Sequence, residues 1–207
     1  MRYKKRICGL VEFLLLFYLI FGAVSLANAN APNSLHLQSL TAQAVAEYKA
    51  GNLESALAIA QNVTRLAKLR FGERHIRYVQ ALNNLALLQD LSGSFGEAED
   101  TYRIAINIVA GFRGNHDVEL AELKNNLAAV VLQQCRVRQA QKLYRDALAL
   151  TEAAYGRDHK EVAWVRANIQ RLERYTKKAD LTNASILSHT QNMDSEKISH
   201  IFRYCTS

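Results

Sequence analysis

The sequence predicts an all-α solenoid of three helical hairpins closed by one further helix, and three observations predict it. Many residues recur at a single step: Gly72, Gly114 and Gly156, Ala56, Ala98 and Ala140, and Asn84, Asn126 and Asn168 each stand 42 residues apart. The 207-residue chain holds one proline, Pro32, and proline is the residue that interrupts helices most severely. Within each period the apolar residues fall at helical spacing, not at the alternation of a strand. Repetition at a step of this size marks stacked units, none of which can bury its apolar face alone.

Residues 1–29 stand apart from the repeats. Arg2, Lys4, Lys5 and Arg6 form a basic start, Ile7 to Phe21 is an apolar run, and Ala27-Asn28-Ala29 has the small residues of a cleavage site. A signal peptide removed after Ala29 is the expectation. The alternative is an uncleaved anchor, because Ile7 to Ala27 is long enough to span a bilayer. Either reading carries the repeats out of the cytosol, to the periplasm or beyond in a bacterial cell envelope.

The hairpins follow in order. The first pairs Ser34–Ala50 with Leu53–Phe71 around Gly51-Asn52, and its irregularity suits a terminal unit that covers the stack. The second begins with Ile76–Leu91, where Val79, Leu82, Leu85 and Ala86 make an apolar stripe. Ser92-Gly93 breaks it, and Ser94-Phe95-Gly96-Glu97 has the form of a capping box opening the next helix. That helix carries Ala98, Tyr102, Ala105, Ile106 and Val109 on one face and ends over Gly111 to Gly114. The third hairpin repeats the plan with Val118–Gln134 and Val137–Tyr155, and Cys135 falls where glycine would recur after Gly51 and Gly93. Asp158-His159-Lys160-Glu161 caps a closing helix running to about Tyr175. The predicted organisation is therefore a segment 1–29, repeats at about 34–72, 75–114 and 117–156, a capping helix 159–176, and a tail 177–207. The tail leaves the repeat, with Thr182 to Gln191 read as loose and Asp194 to Tyr204 as a short amphipathic helix.

The stretch Ala81-Leu82-Asn83-Asn84-Leu85-Ala86, then Gly93-Ser94-Phe95, Glu97-Ala98-Glu99 and Tyr102, resembles the tetratricopeptide repeat, in the 42-residue form of kinesin light chains. Asn125-Asn126-Leu127-Ala128 and Ala140 to Leu148 resemble it again, and the likeness covers about Leu35 to Tyr175. It implies a right-handed α–α superhelix whose first helices line a concave groove. Two departures stand out. The family's His-Pro loop has no proline here, and His116 lies one position earlier in its unit than His75 and His159.

The resemblance implies a groove that receives an extended peptide or protein segment, with Asn84, Asn126 and Asn168 facing it and Asn83 and Asn125 beside them. An amide both donates and accepts, as a peptide unit requires. The other reading of these asparagines is that they bond a neighbouring helix and fix the stacking. Trp164, the one tryptophan, either faces the groove or closes the core. Gln80 and Glu122, with Asn83 and Asn125, stand where some relatives hold a carboxylate with lysine and arginine, so no C-terminal carboxylate ligand is expected.

Other chemistries find little support. No G-x-S-x-G, H-E-x-x-H or phosphate-cradling loop occurs, so no enzyme activity and no cofactor are expected. The loop histidines are about one repeat apart, too far for shared metal ligation. Formal charge is +7, and removing residues 1–29, with four basic residues and one acid, leaves +4. That excess reads as spread along the chain, which argues against nucleic acid. Membrane contact is expected only if the N-terminal segment stays. Glu97-Ala98-Glu99-Asp100 reads as an acidic run favouring a helix dipole. An oxidising compartment permits a disulfide between Cys135 and Cys205. The expected function is an exported adaptor or scaffold; the alternatives are a self-associating structural subunit or an accessory subunit of an envelope enzyme.

Overall fold

The computed structural model describes residues 32–112 and 116–190. Among them are seven α-helices and no strand: α1 (Pro32–Lys49), α2 (Leu53–Phe71), α3 (Ile76–Leu91), α4 (Phe95–Ala110), α5 (Asp117–Gln133), α6 (Val137–Tyr155) and α7 (Lys160–Thr190). The signal segment, Gly114, the helix expected over 194–204 and Cys205 lie outside the described residues. The chain divides into two compact units, one ending at Ile59 and the other starting at Ala60, within α2.

In the first unit, α1 opens on Pro32, where a missing N–H costs a helix nothing. Gly51 makes the turn at φ 86, a left-handed conformation that a side chain would resist. Asn52 closes that turn twice, its N–H on the Glu47 carbonyl at 2.9 Å and its side-chain amide on the Glu47 carboxylate at 2.8 Å.

In the second unit each helix from α3 to α7 packs on its successor, and the first helices α3 and α5 also touch. Periodic alanines make the close approaches: Ala98, Ala105, Ala128, Ala140 and Ala147 have no exposed surface. Tyr102 and Tyr144, one repeat apart, are buried at equivalent places. Leu172 of α7 joins Tyr144 and Ala128, with Leu132, Val137, Leu143 and Ile169 packed around them, so α7 closes the core as its place in the sequence predicts.

The three turns inside hairpins share one hydrogen-bond pattern, in the first as Asn52 N–H to the Glu47 carbonyl and Gly51 N–H to the Tyr48 carbonyl. Ser94 N–H reaches the Gln89 carbonyl and Gly93 N–H the Asp90 carbonyl; one repeat later Arg136 reaches Val131 and Cys135 reaches Leu132, all between 2.9 and 3.1 Å. This is a Schellman closure, which needs a left-handed residue. Gly93 supplies it at φ 83, and Cys135 takes the same role at φ 60 as the one non-glycine residue with positive φ among those described.

Several expectations need correction. The capping box does not form: the Ser94 side chain makes no cap bond, its hydroxyl lying 3.2 Å from that of Ser92, and Glu97 instead accepts from Gln89 at 3.3 Å. The histidines do the capping. His75 Nδ1 accepts from Arg77 N–H at 3.0 Å and His159 Nδ1 from Glu161 N–H at 3.3 Å, each ring stacked on the last aromatic of the preceding helix, Phe71 or Tyr155. His116, shifted by one position, leaves its buried Nδ1 without a hydrogen bond and meets Phe112 edge-on. The closing helix also runs past Tyr175 to Thr190, through the segment expected to be loose. No glycine or proline interrupts residues 157–190, so nothing there stops a helix. Among the described residues no helix is long and apolar enough to cross a membrane.

Candidate functional site

Four of the five asparagines expected in the groove are joined to one another. Asn168 of α7 donates to Asn125 of α5 at 3.0 Å, Asn125 to its neighbour Asn126 at 3.3 Å, and Asn126 to Asn83 of α3 at 3.1 Å. Asn83 then donates to the Glu122 carboxylate at 2.9 Å. Four amides and one carboxylate thus form a continuous ladder across three first helices. Each amide-to-amide step between helices spans 43 residues, one repeat plus one, so the first asparagine of a pair accepts from the second asparagine of the next.

The reason is local. Asn83, Asn125, Asn126 and Asn168 are all under 9% exposed, and a buried amide must find partners or lose free energy. Asn84 differs. Its register partner one repeat upstream from Asn83 is Thr41, not an asparagine, and its side chain is half-buried and outside the ladder. Of the residues expected to meet a partner, four therefore have their principal hydrogen bonds inside the protein, while Asn84 and Trp164 keep partly open surface.

Glu122 and Trp164 stand one helical turn before Asn126 and Asn168, hence on the same face, and occupy equivalent positions in successive repeats. Trp164 is half-buried. Glu122 is exposed as a residue, while its carboxylate is crowded by protein. That burial pushes its carboxyl up to about 7, the Asn83 hydrogen bond opposing and the charges of Glu119 and Glu161 adding. Because Trp164 replaces this carboxylate in the next repeat, Asn125 lacks such an acceptor and bonds Asn126 instead.

A second constellation joins α4 to the turn before α6. Glu99, nearly buried, accepts from Arg103 Nε and Nη2 at 3.0 and 2.6 Å, from Gln134 at 2.9 Å and from Arg136 at 2.6 Å. Burial pushes its carboxyl up, but the bonds from Arg103, Gln134 and Arg136 outweigh it and hold the group below the usual range. The acidic run is thus more than a helix-dipole feature. Nearby, Asp90 keeps a buried Oδ1 without a partner, and burial alone pushes its carboxyl up to about 6. Tyr102, first by burial and then by the Asp90 charge, is held firmly protonated.

No group of three metal-binding side chains occurs among the described residues. Cys135 is engaged in a disulfide, and the Cys205 half of the expected pair lies outside them. The sequence reading missed Glu99, Asp90 and the ladder's Glu122 terminus. Broken periodicity was their available signal: Leu132 follows Asp90 by one repeat, and Trp164 follows Glu122.

Comparison with known proteins gives one consistent result. The tetratricopeptide repeat family model matches residues 35–110 and 119–181. The mitochondrial tetratricopeptide repeat protein 19 of Rattus norvegicus is 31% identical over 121 residues, 58% of this chain and 30% of that protein. Its Homo sapiens counterpart is 30% identical over 131 residues, 63% of this chain and 31% of that protein. The chain therefore spans about a third of the length of these relatives. Among solved structures, a kinesin-light-chain repeat protein from Podosopora anserina has TM-score 0.61 at 15% identity, over 78% of each chain. BtubC from P. vanneervenii has TM-score 0.62 at 18% identity, over 93% of this chain and 78% of that one. The chain belongs to the tetratricopeptide repeat family, whose fold is a protein–protein interaction module.

Proposed function

We propose that the protein is an exported adaptor that receives an extended protein segment along the face shared by α3, α5 and α7. The observation that supports this reading is the ladder. It holds three first helices in one register, and on the same face it leaves Asn84, Glu122 and Trp164 with surface a partner can reach. The ladder amides act as the floor. They align the walls, and only their second N–H and lone pair remain for a ligand. The partly exposed tryptophan is the residue type that most often anchors a partner.

This changes the variant that tests the idea. Substituting Asn126 or Asn168 would loosen the stack itself, so loss of binding would be ambiguous. Asn84→Ala with Trp164→Ala removes reachable surface and leaves every ladder bond in place. A partner co-purified with the wild type should be lost from this double variant and kept by one altered at exposed Arg65 and Arg74. Equal retention by both would remove the groove from consideration. Export is tested separately, by sequencing the mature N-terminus: a start at Asn30 supports cleavage after Ala29, and an intact Met1 start supports the anchor.

A further inference from the structure

Charge is not spread along the repeats as the linear sequence suggests. From Asn52 to Cys135 there are eight Lys and Arg against nine Asp and Glu; from Arg136 to Lys177 there are ten against five. The excess has a definite place. On the outward face of α6, Arg138, Lys142 and Arg145 are exposed at i, i+4 and i+7. That spacing stacks them on one helix face, with rises of about 6 Å and about 4.5 Å between them.

The same register positions in the preceding repeat are Gly96, Asp100 and Arg103, all exposed on α4. Arg103 there is held by Glu99. In the first repeat the positions are Glu54, Ala58 and Gln61. One structural position thus changes from acidic or neutral to three cations in the third repeat. None of the three forms an ion pair among the described residues, although Lys124 and Arg166 in the same region each have one, with Asp146 and Glu152. Two of the three are arginines, whose planar fork matches a carboxylate. The exposed large apolar side chains, Leu35, Leu69, Ile104, Val118 and Tyr155, all lie off this stripe. A helix that settles on a lipid surface needs an apolar face to bury, and this one has none there.

We propose that the outward face of α6 docks an acidic segment of a partner protein, one presenting carboxylates about a helical turn apart. The stripe is one helix wide and bounded by Asp100 at the matching place on the neighbouring repeat, which suits a narrow acidic partner better than an extended anionic sheet. This surface is distinct from the groove face and does not depend on it.

The test uses the full chain and a fluorescein-labelled oligoglutamate of about fifteen residues, long enough to lie along the stripe. Anisotropy is read at low and high salt, beside flotation with phosphatidylglycerol vesicles. The wild type should bind the peptide, weaken in high salt, and lose about tenfold in affinity when Arg138, Lys142 and Arg145 are all changed to Gln. Changing Arg65, Arg70 and Arg74 to Gln removes equal charge elsewhere and should cost no more than about twofold. Should the α6 triple variant fail to fold by circular dichroism, Lys142→Gln alone should lose about twofold to threefold. Equal loss in both triple variants, absence of peptide binding, or binding to vesicles but not to peptide would each overturn the proposal.

Discussion

Two seams join successive repeats, and they are built from opposite chemistries. The seam between first helices is a ladder of four nearly buried amides that ends on the Glu122 carboxylate. The seam joining α4 to the turn before α6 is ionic, with Glu99 collecting three donor side chains whose guanidinium partners stay more than 40% exposed. The difference follows accessibility. A charge deep in the stack would cost several kcal/mol of desolvation, whereas an amide is satisfied by two good hydrogen bonds. At the outer seam the arginines keep their hydration while the carboxylate receives enough donors to offset its burial. The amide-to-amide steps of the inner seam should therefore ignore salt, and the outer seam should not.

The largest expected effect breaks the inner seam. Asn125→Leu strands the side-chain N–H of Asn168 and the side-chain carbonyl of Asn126, and should cost about 2–4 kcal/mol in urea unfolding, equally at low and high salt. A loss that shrinks in high salt would show that these amide steps are not electrically neutral in effect.

Glu99→Ala should cost about 1–2 kcal/mol at pH 7, less than a fully buried ion pair because its partners are half-exposed. Its folded carboxyl is held below the usual range, so its contribution is present above the unfolded value and disappears as pH falls through the folded one. Wild type and variant should converge in acid. Parallel stabilities down to low pH would assign Glu99 a packing role only.

Asp90 sharpens the contrast by having the wrong sign. With its folded carboxyl raised to about 6, ionising it opposes folding above that pH, and the penalty vanishes as pH falls toward the unfolded value. Asp90→Leu, copying Leu132 one repeat later, should stabilise by about 1–2 kcal/mol at pH 8 and by much less near pH 4.5. A destabilised variant at pH 8 would mean that Oδ1 is satisfied in solution. The smallest effect concerns the turn beside Glu99. Ser94→Ala should change stability by no more than about 0.5 kcal/mol, because no cap bond is lost, while His75→Ala should cost about 1 kcal/mol. Thermal melts of the two variants would separate them.

The architecture was legible because it rests on residue types that recur wherever a contact or a turn recurs. Ala98 and Ala140, Tyr102 and Tyr144, and Gly93 with its stand-in Cys135 each mark a contact or a turn that recurs. Helix limits such as Ile76–Leu91 and Val137–Tyr155 follow directly from that step. What the asparagines do was not legible from the same step. The period of 42 aligns Asn84, Asn126 and Asn168 as equals, yet their partners stand 43 residues away, so one of the three falls outside the ladder. Periodicity locates equivalent positions, but hydrogen bonds form between positions that are not equivalent. Glu99 was hidden for a similar reason, since its donors Gln134 and Arg136 belong to the next unit's turn.

The doubled asparagine Asn125-Asn126 behaves as a connector with two ends: the first residue is a socket for the following repeat, and the second is a plug into the preceding one, whereas Asn83-Asn84 uses only its socket. Asn125-Asn126 has both ends in use. In α7 the socket position is Ala167, exposed and apolar, and only the plug, Asn168, is present. The row of amides therefore ends at Asn168, within a closing helix that runs on to Thr190. Duplicating residues 117–158 in place would insert another two-ended connector and lengthen the row, whereas a repeat appended after α7 would find nothing to plug into unless Ala167 became asparagine.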